Sequence, residues 1–271
     1  MPELPEVETT RRGIAPHVLH KKVIEVRVRE ARLRWPVPDE LPRRLPGQII
    51  EGVERRGKYL LLRTRAGCAI LHLGMSGSVR ILPAHSAPRK HDHVDIVFDD
   101  RTCLRLHDPR RFGALLWTHT DPLHHPLLRQ LGPEPLGRAL TGAHLHRAAR
   151  GRTLAVKNFI MDSRVVAGVG NIYANEALFL AGIHPARAAG RITEARYALL
   201  AAAVKRVLRA ALKQGGTTLR DYYASDGSTG YFQQCLKVYG RAGQPCTACK
   251  RPLKLLRHGQ RSSFYCSHCQ R

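Results

Sequence analysis

Acidic residues are scarce in this chain of 271 residues: 21 aspartates and glutamates stand against 45 lysines and arginines, which leaves a formal net charge of +24. Lysine is also rare, since arginine supplies 35 of those 45 basic residues. A bias towards arginine codons would explain the preference for arginine, but it would not explain the shortage of acids. Neutralising phosphates releases bound counterions, so this charge favours a polyanionic partner. Nucleic acid is the first candidate, with the ribosome and acidic lipid as alternatives.

Long apolar segments are missing as well. No run approaches the roughly 20 residues that cross a bilayer, and the N-terminus lacks the apolar core of a signal peptide. We therefore expect a cytoplasmic protein without a membrane partner.

Nucleotide-binding patterns are also missing: the "GVG" at 168–170 could offer backbone N–H groups to a phosphate, but no Walker or G-x-G-x-x-G pattern accompanies it.

The composition is that of a globular protein, with 43% hydrophobic and 24% charged residues, and the length suits two domains with a small appendage. Residues 3–18 have the spacing of a helix that buries Leu4, Val7, Ile14 and Val18. From about residue 23 the apolar residues alternate, and a slip at Glu30 predicts a bulge or bend in the strand.

Further alternating segments predict several short strands up to about residue 120, and therefore a sandwich of sheets. They are "KYLLLRT", "CAILHLG", "SVRIL", "HVDIVFDD", "TCLRLHD" and "FGALLWTH", with Asp99 and Asp100 at a hairpin turn. The proline-rich stretch "DPLHHPLLRQLGPEPLG" then separates two domains. Beyond it the pattern is helical, with two short helices between 153 and 183. A long helix follows, with Thr193 as its cap and Gly215 as its stop.

Four of the seven cysteines lie near the C-terminus, in two C-x2-C pairs separated by sixteen residues: Cys246, Cys249, Cys266 and Cys269. This spacing predicts one structural Zn²⁺ held by four thiolates, with the intervening residues turning back as a hairpin. Because His268 lies within the second pair, a zinc site of three cysteines and one histidine is a minor alternative. Residues 241–271 contain no acid and seven basic residues, so we expect the hairpin to touch phosphate. A structural zinc site without a DNA role is the alternative.

Three further features are ambiguous. "HDHVD" contains His91, Asp92, His93 and Asp95 and could resemble a metal site. On a strand, His91 and His93 share one face with Asp95, and hydrogen bonding within a hairpin is the preferred interpretation. For His72, in "HLGMSG", the ordinary explanation is a histidine satisfied within the core. Met75 lies between glycines on a loop in the same stretch, which favours insertion into a partner over packing within the chain.

Taken together, these segments resemble the bacterial formamidopyrimidine-DNA glycosylase family, whose members excise 8-oxoguanine and ring-opened purines. The resemblance runs through the whole chain, from "MPELPEVET" through "HLGMSG", "DPRRFG", "GVGNIYANE" and "GGTTL" to the four-cysteine finger. The related endonuclease VIII enzymes share the proline-glutamate start. They typically have glycine where this chain has Leu4, and they lack "HLGMSG".

The resemblance implies the catalytic residues. After removal of Met1, the secondary amine of Pro2 attacks the sugar C1′, expels the base and forms a Schiff base. A terminal amine suits this chemistry, because an α-amino group is about 15% neutral at pH 7 and a lysine only about 0.04%. Glu3 is then the general acid/base, supported by Glu6. Lys58 is assigned to β-elimination and Arg261 to δ-elimination. Without the resemblance, both glutamates would be explained by the helix dipole.

The resemblance also implies contacts with duplex DNA that contains oxidised purines or abasic sites. Met75, Arg110 and Phe112 match the trio that fills the gap left by the flipped nucleotide, with Arg110 facing the orphaned cytosine. The remaining predicted DNA contacts are His72, His91, Arg152, Lys157 and Asn171. The "DYYASDGSTGY" stretch resembles the loop that caps the lesion.

We therefore predict an α+β protein. It has an N-terminal β-sandwich domain flanked by helices and a C-terminal helical domain of the helix-two-turn-helix type with a four-cysteine zinc hairpin. The predicted divisions are a catalytic domain at 1–120, a linker at 121–140, a DNA-binding domain at 141–235 and a zinc finger at 236–271. The predicted function is that of a monomeric glycosylase and abasic-site lyase active at the bacterial nucleoid, with DNA crossing the basic cleft between the domains. An oxidised-pyrimidine glycosylase of the same fold and a non-catalytic binder of damaged DNA are the alternatives.

Overall fold

The computed structural model describes residues 2–215, 236–258 and 260–271, with the backbone alone for His258. These residues fall into two compact units. The first unit has described residues 2–130 and 214–215, and the second has 131–213, 236–258 and 260–271. Within these ranges, no helix combines the length and apolar character that crossing a membrane requires.

The first unit opens with helix α1 (Leu4–Val18). Pro5 lies in its first turn, where the missing N–H costs no helical hydrogen bond. Leu4, Val7, Ile14 and Val18 are all buried, which confirms the face predicted from their spacing. A short helix that the sequence did not indicate, α2 (Leu41–Arg44), buries Leu41.

Eight strands follow α1 in the first unit. They are β1 (Val23–Val28), β2 (Gly52–Arg56), β3 (Tyr59–Thr64), β4 (Gly67–His72), β5 (Ser78–Pro83), β6 (Asp92–Phe98), β7 (Thr102–His107) and β8 (Ala114–Thr118). One antiparallel sheet has the order β1-β6-β7-β5 and the other has the order β2-β3-β4-β8. Leu62 and Leu71 of one sheet and Ile96 and Leu104 of the other belong to one buried core, so the predicted sandwich is confirmed.

Two details of the strands differ from the predictions. The slip at Glu30 is not a bulge within a strand, because β1 ends at Val28 and its register shift lies between Val23 and Glu25. His91 does not share a strand face with His93, because β6 begins at Asp92 and His91 has a left-handed φ of 72°. The turn at Asp99 and Asp100 is confirmed, and Asp100 accepts the backbone N–H of Thr102 at 3.0 Å.

The second unit contains four helices: α3 (Gly142–Ala149), α4 (Val156–Met161), α5 (Asn171–Leu180) and α6 (Glu194–Lys213). The two short helices predicted between 153 and 183 are therefore present. The Thr193 hydroxyl accepts the backbone N–H of Arg196 at 3.4 Å, and Gly215 has a φ of +73°, as expected of the cap and the stop of the long helix.

The C-terminal residues of the second unit form the predicted hairpin. Strands β9 (Lys254–His258) and β10 (Arg261–Tyr265) pair in an antiparallel register that sets Arg261 opposite His258. Cys246 and Cys266 are buried in a small core with Phe179, Val238 and Leu253. Phe179 belongs to α5, so this helix provides the apolar support for the hairpin.

Candidate active site and nucleic-acid interface

Pro2 and Glu3 lie at the start of α1 and are buried, with Glu3 only 1% exposed. Glu3 and Glu6 form a capping box, in which the Glu6 carboxylate accepts the backbone N–H of Glu3 at 2.8 Å. The two side chains therefore accept backbone N–H groups of the first turn of α1. This agrees with a purely structural role for both glutamates at the N-terminus of the helix. The bond from the Glu3 N–H to Glu6 also fixes the peptide that directly follows Pro2, and it involves two carboxylate residues in the turn next to Pro2.

Lys58 lies in the tight turn between β2 and β3, next to Gly57. Arg55 connects this turn to α1: its Nη1 donates to the carbonyl of Gly57 at 2.9 Å, and its Nε donates to Glu8 at 3.3 Å. Both Arg55 and Glu8 have side chains only 13% exposed. The helix that carries the N-terminal residues is thus joined to the turn that carries Lys58.

His72 ends β4 and lies against Tyr59, with ring centroids 4.8 Å apart. Its Nδ1 accepts the backbone N–H of Gly74 at 3.1 Å, which leaves Nε2 as the protonated nitrogen of the neutral ring. Burial lowers the pKa of His72 to about 4, and the positive charges of Lys58 and Arg34 contribute. His72 is therefore neutral at pH 7 and offers one N–H donor near Lys58.

Met75, Arg110 and Phe112 are exposed on two neighbouring loops; Met75 is 40% and Phe112 41% exposed. The guanidinium of Arg110 lies 4.8 Å from the centre of the Phe112 ring. Gly74 has a φ of +64°, and a Cβ there would come within 2.4 Å of the Phe112 backbone. The loops are thus packed backbone against backbone while their large side chains face solvent, as insertion into a partner requires.

The "HDHVD" residues take part in ion pairs and hydrogen bonds. Asp92 accepts from Arg80 at 2.6 Å and pairs with Nδ1 of His107 at 2.8 Å, while Asp95 accepts from Nε of Arg105 at 2.8 Å. His91 lies edge-on to the rings of His93 and His107. In the part of the chain that the structure describes, the cysteines alone form a group suited to a metal, which supports the preferred interpretation.

In the second unit, Asn171 is the first residue of α5, and its buried Oδ1 finds no hydrogen-bond partner among the described residues. The Arg152 side chain is exposed, with its guanidinium 5.8 Å from the centre of the Phe159 ring. Both positions are compatible with the predicted DNA contacts.

Lys157 differs from the other predicted DNA contacts because it is only 1% exposed. Its ammonium donates to the carbonyl of Ser262 at 2.5 Å and to the hydroxyl of Ser263 at 2.8 Å. The ammonium is therefore directed at β10 of the zinc hairpin, where a phosphate does not reach it. A direct phosphate contact does not fit this arrangement.

Two buried residues of α5 that the sequence analysis missed also hold the C-terminal segment. Asn175 accepts the backbone N–H of Phe264 at 2.7 Å. Glu176 accepts the backbone N–H groups of Lys237, Val238 and Tyr239, each at 2.9 Å. A polar pair inside the apolar helix "NIYANEALFL" is the sequence signal that could have identified them, because buried polar groups need partners.

Arg261 begins β10 and is exposed. It lines an open cavity of about 350 Å³ together with Asn158, Met161, Asp162 and Gln260. Arg164 pairs with the Asp162 carboxylate at 3.1 Å. Arg261 is thus presented at a concave surface of the second unit, at the end of the strand that Lys157 and Asn175 hold.

The four terminal cysteines meet the geometric requirements of a tetrahedral metal site. Their sulfurs all lie within 4.8 Å of one another. The Cys246 and Cys269 sulfurs are 3.9 Å apart and those of Cys249 and Cys266 are 3.4 Å apart. Metal–sulfur bonds of about 2.3 Å at tetrahedral angles require sulfurs about 3.8 Å apart. The cluster therefore suits a structural metal ion. The "DYYASDGSTGY" stretch lies outside the described residues.

Three family models match most of the chain. The formamidopyrimidine-DNA glycosylase N-terminal domain matches residues 1–115, and the H2TH domain of the same enzymes matches residues 131–223. A zinc finger found in FPG and IleRS matches residues 243–271.

Whole-chain relatives and solved structures agree with these matches. The formamidopyrimidine-DNA glycosylase of Methylococcus capsulatus is 64% identical over 271 residues, with all of both chains covered. The Fpg protein of Thermus thermophilus superposes with a TM-score of 0.90 at 40% identity, covering 99% of this chain and 98% of that one. The Lactococcus lactis Fpg bound to DNA with an abasic site has a TM-score of 0.91 at 33% identity, covering 99% of both chains.

Proposed function

Because the chain belongs to the formamidopyrimidine-DNA glycosylase family, we propose that it excises 8-oxoguanine and formamidopyrimidines from duplex DNA and then cleaves the strand at the abasic site. The arrangement at the start of α1 carries this proposal. Pro2 is followed by a buried carboxylate whose peptide N–H is fixed by Glu6 at 2.8 Å. An amine and an acid are thereby held next to each other at one end of a rigid helix.

The first step of the proposed reaction joins the Pro2 nitrogen to C1′ and breaks two bonds at that carbon, first to the base and then to the ring oxygen. After Met1 is removed, the lone pair of the Pro2 nitrogen attacks C1′ of the damaged nucleotide. The bond between C1′ and the base breaks, and the base leaves with that electron pair. Glu3 supplies the proton that the departing base or the opening sugar ring needs. The amine proton is then lost, and the nitrogen lone pair forms a double bond to C1′ as the bond from C1′ to the ring oxygen breaks. The ring oxygen becomes a hydroxyl with the proton from Glu3, and a cationic iminium joins Pro2 to C1′.

The second step is elimination. The iminium withdraws electrons and acidifies the C2′ proton, so that loss of this proton expels the 3′ phosphate. Lys58 is suited to hold that phosphate, because its turn is joined to α1 through Arg55 and Glu8. A second elimination releases the 5′ phosphate, with Arg261 as its anchor. Neutral His72 contributes an N–H donor beside Lys58.

The remaining contacts bind and open the duplex. Met75, Arg110 and Phe112 replace the extruded nucleotide, which offsets the few kcal/mol lost on unstacking and unpairing. His91, Arg152 and Asn171 contact the DNA backbone, and the net charge of +24 supplies the general attraction. Lys157 is assigned a different role: it holds the zinc hairpin and makes no phosphate contact. We further propose that the protein acts as a monomer in the bacterial cytoplasm.

The metal ion is proposed to be Zn²⁺, because four thiolates at tetrahedral spacing are the ligands typical of structural zinc. Its contribution is folding energy for a short segment with a small core of its own. The ion takes no part in the reaction. It keeps β9 and β10 folded, and β10 carries Arg261.

Borohydride trapping tests the proposal. The purified protein is mixed with a duplex containing one 8-oxoguanine opposite cytosine, reduced, and examined for a covalent protein–DNA species on a gel. A band that disappears in Pro2→Gly, and in protein that retains Met1, supports the amine nucleophile. Tight binding without any band would contradict it and favour a non-catalytic DNA binder. Trapping on oxidised pyrimidines in preference to 8-oxoguanine would favour the endonuclease VIII-like alternative.

A further inference from the structure

Asp108 is a buried carboxylate that has no part in the reaction proposed above. It directly follows β7 and is 0% exposed. A carboxylate removed from water costs free energy unless hydrogen bonds compensate for the loss of hydration. The hydrogen bonds that Asp108 accepts come from two loops. Buried Asp95, by contrast, accepts from arginine side chains, one on a strand of the sandwich and one on the loop after β1.

Each carboxylate oxygen of Asp108 binds a different loop. Oδ1 accepts the hydroxyl of Ser76 at 3.3 Å, and Oδ2 accepts the backbone N–H of Gly113 at 2.7 Å. Ser76 directly follows Met75, and Gly113 directly follows Phe112. One carboxylate therefore joins the two loops that present the exposed insertion side chains.

The backbone of Asp108 holds a third segment. Its N–H donates to the carbonyl of His91 at 3.0 Å, and its carbonyl pairs with Nε2 of buried His93 at 2.8 Å. The same carbonyl accepts the N–H of Arg111 at 3.2 Å, which closes the turn that carries Arg110. Asp108 is thus the shared partner of three segments that each carry a proposed DNA contact.

We infer that Asp108 is a positioning residue for base extrusion, which fixes the loops of Met75, Arg110–Phe112 and His91 in one arrangement before DNA binds. The physical reason is conformational entropy, because ordering loop residues during binding costs free energy and pre-ordered loops avoid that cost. The close approach of Gly74 to the Phe112 backbone supports the same rigid pair of loops. The inference rests on the proposed function.

Two substrates separate this role from general stability. A duplex with 8-oxoguanine must be unstacked and unpaired before excision, whereas a preformed abasic site has no base to extrude. Loose insertion loops should therefore impair excision far more than strand cleavage at an abasic site. The measurement is single-turnover rate and apparent affinity of wild type and variants on both duplexes, at a temperature where circular dichroism shows every variant folded.

Asp108→Ala should lower the 8-oxoguanine excision rate by about tenfold or more and the abasic-site cleavage rate by less than about threefold. Asp108→Asn should remain close to wild type on both duplexes. Its amide oxygen can accept from Gly113 and its NH₂ can donate to the Ser76 oxygen. Ser76→Ala removes one of the two bonds and should show a smaller loss with the same preference for the abasic duplex. It serves as the test if Asp108→Ala does not fold.

Asp95→Asn is the matched control, since it alters a buried carboxylate of the same sandwich that is bonded to Arg29 and Arg105 and not to Ser76 or Gly113. It should change both rates by the same factor. Equal losses on both duplexes in the Asp108 and Ser76 variants would overturn the inference. So would an Asp108→Asn variant as impaired as Asp108→Ala, because the negative charge and not the bonding pattern would then matter. A wild-type protein that forms no trapped species would instead contradict the proposed function.

Discussion

The ammonium of Lys157 on α4 donates to the hydroxyl of Ser263 on β10 at 2.8 Å, and both residues are at most 1% exposed. Ser262, whose carbonyl accepts a second bond from the same ammonium, directly follows Arg261. A buried positive charge thus fixes the strand at the end where the exposed Arg261 begins. The effect of Lys157 on DNA should accordingly pass through Arg261.

Lys157→Met preserves the length of the side chain and removes the charge. It removes the lysine donor from the Ser262 carbonyl and from the Ser263 hydroxyl, at a cost of about 1–3 kcal/mol in the free energy of unfolding. We expect lower thermal stability and weaker DNA binding with the metal retained. Arg261→Ala should weaken DNA binding and reduce the slope of log Kd against log salt by about one.

The double variant decides between positioning and contact. If Lys157 acts through Arg261, the double variant Lys157→Met/Arg261→Ala should have the same Kd and the same salt slope as Arg261→Ala alone. A further reduction of the slope by about one in the double variant would show a second phosphate contact and contradict the assignment. Arg152→Ala, at an exposed side chain, provides a comparison variant that should reduce the slope in either background.

Removal of the metal should unfold the hairpin selectively. Among the described residues, the buried core of the hairpin consists of Phe179, Val238, Leu253 and two cysteines, with Phe264 packed against it. Because this core is small, we expect the metal–thiolate bonds to supply most of the stability of the hairpin. Cys249→Ser, or a strong chelator, should abolish hydrogen-exchange protection in β9 and β10 and leave the strands of the sandwich protected. Cys103→Ala, at a buried cysteine outside the cluster, should retain one equivalent of metal. Protection of β10 in a metal-free protein would contradict this account.

Arg55 should affect strand cleavage more than base excision. It donates to the carbonyl of Gly57, in the turn that carries Lys58, and loss of that charge-assisted bond costs about 1–1.5 kcal/mol. Arg55→Met should therefore slow elimination about fivefold to tenfold, with a smaller effect on trapping by Pro2. The control is Arg12→Ala, which removes an exposed partner of the same Glu8 carboxylate and should leave both steps unchanged.

Local patterns in the sequence predicted the fold well. The short apolar run in "KYLLLRT" and the alternation in "TCLRLHD" identify β3 and β7, because both patterns are typical of short strands that enter a core. The slip at Glu30 was misinterpreted, because the same loss of alternation marks a strand end as well as a bulge. Strand β2 was missed: in "GVERR" the buried Val53 is the only apolar side chain, so no alternation of apolar residues appears.

The sequence predicts a site residue well when the chemistry of its side chain decides its role. It predicts a site residue less well when burial in the folded chain decides that role. The spacing of the cysteines already implies the tetrahedral cluster that the structure contains. The prediction of a DNA contact for Lys157 depends on the family resemblance, and nothing in the local sequence shows that its ammonium faces β10. The sequence does not indicate the role of Asp108, because its partner Ser76 lies 32 residues away and only the pairing of β5 with β7 brings it near.

The low pKa of His72 should appear in the pH dependence of stability. Burial, together with the charges of Lys58 and Arg34, lowers this pKa from 6.5 to about 4, so the folded protein keeps the ring neutral where the unfolded chain protonates it. Between about pH 6.5 and pH 4 the unfolded state binds more protons at this residue. Stability should therefore fall as the pH falls through that window, by at most about 3 kcal/mol from His72.

His72→Gln tests this contribution, because its amide oxygen can accept the Gly74 N–H while the side chain has no charge to gain. From pH 7 to pH 4 the wild type should lose more unfolding free energy than His72→Gln. The stability of the variant relative to wild type should therefore increase at low pH. Lys58→Met removes one of the charges that oppose protonation, so it should raise the His72 pKa measured by NMR of the imidazole. An unchanged imidazole pKa in Lys58→Met would leave burial and Arg34 as the causes of the low pKa, and it would argue against a position for Lys58 close enough to share a phosphate with His72.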